Sequence, residues 1–184
     1  MNDSFIFSRI KITCGDITKE DADVIVNAAN NHLMGGGCVD GAIHRAAGPE
    51  LLDECRTVGG CKTGDAKVTK GYNLKAKWVI HTVGPVWHGG EKGEEQLLAS
   101  AYSRSLEEAV KLGAETIAFP AISTGVYGYP PDTASKTAIK TVYDFLRKHP
   151  QIKEVRLVCF SEASETIHNR SLQKIMDGKR QQDE

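Results

Sequence analysis

A chain of 184 residues, 40% hydrophobic and 26% charged, is long enough to bury a substantial core as one domain and suits a folded α/β protein. Its 23 Lys and Arg against 24 Asp and Glu leave no basic footprint, so nucleic acid is not an expected partner. The start MNDSFIFSRI has neither a basic-then-apolar leader nor an Arg-rich presequence, and no apolar run approaches the roughly 20 residues of a membrane span. We therefore expect a soluble cytoplasmic protein without a membrane partner.

Five cysteines, Cys14, Cys38, Cys55, Cys61 and Cys159, form an odd set with no C-x-x-C pair, which argues against a disulfide framework and a structural zinc site. Neither a metal nor a cofactor is expected, because His32, His44, His81, His88, His149 and His168 show no H-x-x-x-H or similar ligand spacing. Cys38 falls near a predicted helix N-terminus, a favourable place for a nucleophile, but no obvious base accompanies it. It reads as a small space-filling residue.

In chain order, Phe5, Phe7, Ile10 and Ile12 of FIFSRIKITCGDIT predict a first strand, and the unbroken apolar run Val24-Ile25-Val26 predicts a buried strand ending at Asn27. A polar, glycine-rich loop follows, then a helix from near Val39 to the stop at Gly48-Pro49. A second helix starts with Pro49 in its first turn and ends at Gly59-Gly60. DAKVTKGYNL and AKWVIHTVGP read as two strands, the second closed by Gly84-Pro85. In EEQLLASAYSRSLEEAVKLGA, Leu97, Leu98, Ala101, Tyr102, Ala109 and Val110 recur with helical spacing up to Gly113. ETIAFPA is a strand, ISTGVYGYPP a loop, DTASKTAIKTVYDFLRKH a helix with Ile139, Val142, Phe145 and Leu146 inward, and EVRLVCF the last strand. A helix from about Ser161 to Met176 precedes a charged tail at about 177–184.

Strands alternating with helices imply a largely parallel sheet covered on both faces, with ligands outside the carboxyl ends of the strands. Four post-strand segments could converge there: CGDIT, NAANNHLMGGGCVDG, AISTGVYGYP and CFSEAS. Neither standard nucleotide fingerprint fits. Gly35-x-Gly37 is followed three places on by Asp40 rather than Gly, and G-x-x-x-x-G-K-[ST] is absent from the sequence. The physics of a phosphate cradle is nonetheless available, since Gly35 to Gly37 lack a Cβ and the helix beginning near Val39 presents unpaired N–H groups. Ser123-Thr124-Gly125-Val126-Tyr127-Gly128 offers a second cradle, and two cradles on one crevice suit a diphosphate. Two ordinary glycine loops are the alternative.

The segments GDIT, VNAANNHLMGGGCVDGAIHRAAG, CKTGDAKVTKGYNL, WVIHTVGP and FPAISTGVYGYP stand in the order and spacing of the macrodomain family. The chain resembles its MacroD-type branch from about Ile10 to about Met176. The resemblance implies a three-layer α/β/α macrodomain with a mixed, largely parallel central sheet, spanning residues 1–184 as a single domain. It also implies binding of ADP-ribose and hydrolysis of ADP-ribose esters: release of mono-ADP-ribose from Glu and Asp side chains, and deacetylation of O-acetyl-ADP-ribose. The implied partners are ADP-ribose, its esters and mono-ADP-ribosylated proteins, and we expect a monomer.

By the same resemblance, Asp16 would accept from the adenine amino group while the Ile17 N–H meets a ring nitrogen; capping the turn at DITKED is the alternative for Asp16. Phe160 would lie against the adenosine end, with core packing equally open. Gly36, Gly37, Cys38 and Val39 would form the first phosphate cradle, and Ser123, Thr124, Gly125, Val126 and Tyr127 the second, Tyr127 closing over the distal ribose. The branch usually has a fourth glycine at position 38, and a Cβ is tolerable there if φ is negative.

Asn30 and Asp40 match the catalytic pair of the branch. Asn30 offers a donor and an acceptor to ribose hydroxyls, and Asp40 can take a proton from water. Alternatively Asp40 only orients the sugar while the substrate diphosphate activates water, or it caps the helix GAIHRAAG. His44 lies one turn beyond Asp40, where it would contact Asp40 or line the site; a packed or solvent-facing histidine is the commoner outcome. Asn27 matches the motif as well, and bracing the loop through buried hydrogen bonds is its alternative to ligand contact. Three functions stay open: an ADP-ribose ester hydrolase, a binding-only reader of ADP-ribose, and an enzyme for another adenine nucleotide or nucleic-acid end.

Overall fold

The apolar run at Val24 becomes the middle of a six-stranded sheet in the computed structural model, which describes residues 2–182. Its strands are β1 (Ile10–Cys14), β2 (Val24–Ala28), β3 (Ala66–Lys70), β4 (Trp78–Thr82), β5 (Thr116–Phe119) and β6 (Glu154–Cys159), in the order β1-β6-β5-β2-β4-β3. Every neighbouring pair is parallel except β3 with β4, which places the antiparallel strand at an edge. Six helices accompany it among the described residues: α1 (Asp3–Ser8), α2 (Cys38–Ala47), α3 (Pro49–Val58), α4 (Glu94–Lys111), α5 (Pro131–Lys148) and α6 (Glu162–Arg180). This is the three-layer, mixed and largely parallel architecture expected from the sequence.

Both faces of the sheet are covered, so alternate residues of one strand serve opposite cores. Val24 and Val26 join Leu98 and Tyr102 of α4 and Ile139 and Val142 of α5. Ile25, between them, joins Ile43 of α2 and Leu51 of α3. All nine are buried, and each aliphatic side chain among them contributes roughly 1.5–3 kcal/mol through removal from water. The result for function is geometric. Strands β1, β2, β5 and β6 run the same way, so the loops leaving their carboxyl ends gather along one edge.

Two local readings are corrected. Residues expected to begin the first strand form α1 instead, because the Asn2 side chain accepts from the Ser4 N–H at 3.0 Å and caps a helical turn. Phe7 stacks on Tyr143 of α5 with centroids 4.6 Å apart, while Phe5 stays exposed, and the strand starts only at Ile10. At the other end α6 runs through Arg180 rather than stopping near Met176, into the segment read as a charged tail. The last two residues, 183 and 184, lie outside the described ones. Among the described residues no helix is long and apolar enough to cross a membrane.

Candidate active site

The loop between β2 and α2 folds on Asn30. Its side-chain oxygen accepts from the N–H groups of His32 and Leu33, each at 3.2 Å, and its amide donates to the Gly35 carbonyl at 3.2 Å. Leu33, at φ 60, and Gly35, at φ 86, complete the turn. The chain then crosses so close to α2 that a Cβ on Gly41 would lie 2.5 Å from the Gly36 carbonyl oxygen. Gly36 itself sits between the two matched residues: a Cβ there would be 3.1 Å from Asp40 Oδ2 and 3.4 Å from Asn30 Nδ2. The structure thus brings Asn30 and Asp40 to one place.

Helix α2 starts at Cys38 behind an extended Gly37 N-cap, with no side chain capping it. Its first-turn N–H groups are therefore left without a side-chain cap, the condition under which a helix start suits an anion. Asp40 is inside the first turn, not at the N-cap, so the capping alternative does not hold. Cys38 is exposed and adopts φ 53, so it is not a space-filling residue, and the negative φ that would accommodate its Cβ comfortably is not the one present.

Asp40 is almost enclosed, and its Oδ1 is held from below. The Asn27 amide donates to it at 2.8 Å, and His44 Nε2 lies 3.4 Å away, one helical turn on. His44 is thus an Asp40 contact, the less common of its two outcomes. Asn27 is wholly buried and reaches Asp40 rather than the surface of the crevice. Beneath Asn27 the structure adds a residue that motif reasoning passed over. His81, on β4 directly beside Asn27, is fully buried with Nδ1 at 3.1 Å from the Asn27 amide nitrogen. Burial, and then the neighbouring His44, push the His81 imidazole down to about 3, so it is neutral in ordinary buffers. An ionisable residue within the apolar run WVIHTV is the signal in the sequence, since histidine spacing bears only on metal ligation.

The segment 123–128 is a closed turn. Ser123 takes φ 67, Tyr129 N–H donates to the Ser123 carbonyl at 3.0 Å, and Gly128 N–H donates to Gly125 at 3.0 Å. Thr124 is tied by its hydroxyl to the Ala121 carbonyl at 2.9 Å, Val126 is 89% exposed at the tip, and Tyr127 is half-buried. The turn approaches the end of β4 so closely that a Cβ on Gly84 would fall 2.2 Å from Ser123 Oγ. That Oγ is buried without a hydrogen-bond partner.

At the far end of the crevice, Gly15 N–H donates to the Cys159 carbonyl at 2.9 Å and ties the exits of β1 and β6 together. This sets Asp16 and Ile17 near Phe160 in the fold. Asp16 caps the short 3-10 turn Ile17–Lys19: Oδ1 accepts from the Thr18 hydroxyl at 2.7 Å and the Thr18 N–H at 2.9 Å, and both bonds hold its carboxyl pKa below the usual carboxylate range. Phe160 is 96% exposed, which removes core packing from its two readings, while Ile17 is buried.

Similarity to known proteins agrees with this geometry. The Macro domain family matches residues 26–138. The O-acetyl-ADP-ribose deacetylase of Escherichia coli K12 is 53% identical over 169 residues, 90% of this chain and 96% of that protein. The macrodomain of Oceanobacillus iheyensis, solved with ADP, superposes with a TM-score of 0.87 at 43% identity, over 91% of each chain. The Trypanosoma brucei macrodomain, solved with ADP-ribose, gives 0.84 at 42% identity over 88% of this chain and 68% of that one. By sequence and by fold, the chain belongs to the Macro domain family.

Proposed function

We propose that this protein binds ADP-ribose in the crevice and hydrolyses its esters, deacetylating O-acetyl-ADP-ribose and releasing mono-ADP-ribose from acidic side chains. The observation that carries the reading is the enclosed Asp40 carboxylate, anchored through Oδ1 while Oδ2 lies beside Gly36, whose other side Asn30 approaches. A reader needs only the cradles and the adenine end; a water-handling carboxylate beside the distal sugar adds nothing to binding alone. The similarity to a named O-acetyl-ADP-ribose deacetylase over nearly the whole chain supports the same conclusion.

In the proposed reaction, the diphosphate lies between the uncapped start of α2 and the turn 123–128, held by backbone N–H groups. Asn30 and the loop it organises keep the distal ribose in register. Water attacks the acyl carbon, giving a proton to Asp40 or to the substrate diphosphate. The ester C–O bond then breaks, the ribose oxygen leaves with a proton, and the carboxylic acid is released.

The test uses O-acetyl-ADP-ribose and a glutamate-linked mono-ADP-ribosylated protein as separate substrates, with a chelator present. Free ADP-ribose is expected from both. Asp40→Ala should lower turnover by at least about 100-fold while ADP-ribose binding persists by calorimetry. Full turnover by Asp40→Ala would overturn the assignment of Asp40, and binding without turnover by the unaltered protein would make it a reader.

A further inference from the structure

Behind the catalytic edge runs a buried chain of hydrogen bonds that crosses three strands. Asn27 on β2 and His81 on β4 are register partners and both have no exposed surface. The Asn27 amide nitrogen has two hydrogens and two neighbours, Asp40 Oδ1 at 2.8 Å and His81 Nδ1 at 3.1 Å. His81 Nε2 is 2.8 Å from the Thr69 hydroxyl on β3, and that hydroxyl also reaches the Lys70 carbonyl at 3.3 Å. Cys55 Sγ, at 3.9 Å from the same nitrogen, closes the pocket.

Each atom's role then follows from its donors. Asn27 Nδ2 can only donate, so His81 Nδ1 must accept and its proton must sit on Nε2, given to Thr69, whose own proton goes to Lys70. The opposite tautomer would carry a proton on Nδ1 facing the amide. Asn27 would have to flip to receive it, and the flipped amide would set its oxygen, not its nitrogen, 2.8 Å from the Asp40 carboxylate. The tautomer of His81 therefore decides whether Asp40 is held or repelled. His81 stays neutral because it is buried, so this arrangement does not depend on ordinary changes of pH.

We infer that His81 is a positioning residue for ester hydrolysis, which as the Nε2–H tautomer orients the Asn27 amide and so holds the Asp40 carboxylate in register for the reacting ester. The inference rests on the hydrolase reading above. It concerns a side chain with no exposed surface.

Two variants separate the role of Nδ1 from that of Nε2. His81→Asn keeps an acceptor oxygen where Nδ1 was, and His81→Gln keeps a polar group only toward Thr69. With O-acetyl-ADP-ribose, and with sites counted by ADP-ribose titration, kcat per site should stay within about threefold for His81→Asn. It should fall by about 10–100-fold for His81→Gln, with the ADP-ribose Kd unchanged in both. A role in stability alone would not distinguish the two variants. Wild-type kcat for His81→Gln, or an equal loss in both, overturns the proposal. Asp40→Ala and the unaltered protein are assayed alongside: if Asp40→Ala is inactive while His81→Gln turns over normally, only the positioning role falls; if both turn over normally, the assignment of Asp40 falls with it; and if the unaltered protein binds ADP-ribose without turnover, the hydrolase reading itself falls. Should the variants not fold, nitrogen-15 NMR of the unaltered protein decides, since an Nδ1–H signal for His81 overturns the proposal and an Nε2–H signal supports it.

Discussion

The Trp87 N–H donates to the Tyr127 carbonyl at 2.8 Å, so the segment after β4 supports the turn 123–128 from outside. The Trp87 ring lies against Tyr129 with centroids 4.6 Å apart, which strengthens the same junction. What holds this segment in turn is Glu94, the first residue of α4, which bends back to accept from the N–H groups of Gly90 at 2.8 Å, Lys92 at 2.6 Å and His88 at 3.0 Å.

Glu94 gives a pH-dependent signature. Burial pushes its carboxyl up, but the N–H groups of His88, Gly90, Lys92 and Glu94 itself outweigh burial and bring it down to about 2, from an ordinary 4.5. A depressed carboxylate stabilises the fold fully above its unfolded value and loses that contribution as pH falls through its folded one. The wild-type melting temperature should therefore fall between about pH 4.5 and 2. Glu94→Gln should melt lower at neutral pH and show a flatter fall in that window, by circular dichroism. Parallel curves for the two proteins would mean that the carboxylate does not hold the segment.

Cys38→Gly should stabilise the protein. An L-residue in the left-handed region costs about 1–2 kcal/mol, and glycine returns about 0.5–1 kcal/mol of that as lost chain entropy. At φ 53 the net gain is about 0.5–1 kcal/mol, measurable by urea denaturation. Loss of stability instead would show that the exposed thiol makes a contact worth more than the strain.

Asp16→Asn separates capping from recognition. The amide keeps the oxygen that caps Thr18 and replaces the other one with a donor. ADP-ribose binding should weaken by about 1–3 kcal/mol with the melting temperature unchanged. Unaltered affinity would leave Asp16 as a cap and nothing more.

Phe160→Ala should act on binding alone. With 96% of the residue exposed, its truncation should change folding stability by no more than about 0.5 kcal/mol. Loss of a stacking surface should weaken ADP-ribose binding by about 1–3 kcal/mol, measured by calorimetry. Equal affinity would show that the ring does not meet the adenine.

Much of the molecule was legible from residue order. Periodicity, glycine and proline placed every strand and helix of the sheet core, because burial on both faces selects the same apolar spacings that the sequence displays. It failed at the N-terminus, where Phe5 and Phe7 alternate like a strand but Asn2 caps a helix, a case of capping chemistry prevailing over a short apolar pattern. The two glycine-bearing loops and the approach of Asn30 to Asp40 were likewise open to sequence reasoning, since they lie on short continuous segments.

Relations between segments were not. Asn27 and His81 are 54 residues apart and become partners only because β2 and β4 are neighbours in the sheet. Gly84 matters only because the turn at Ser123 passes within contact distance of it. The sequence by itself determined the elements, the loops that carry the crevice and the chemistry of their side chains, because these depend on local spacing and residue type. The tertiary structure alone decided which buried nitrogen faces Asn27, and with it how Asp40 is held, because strand order brings those atoms together across the sheet.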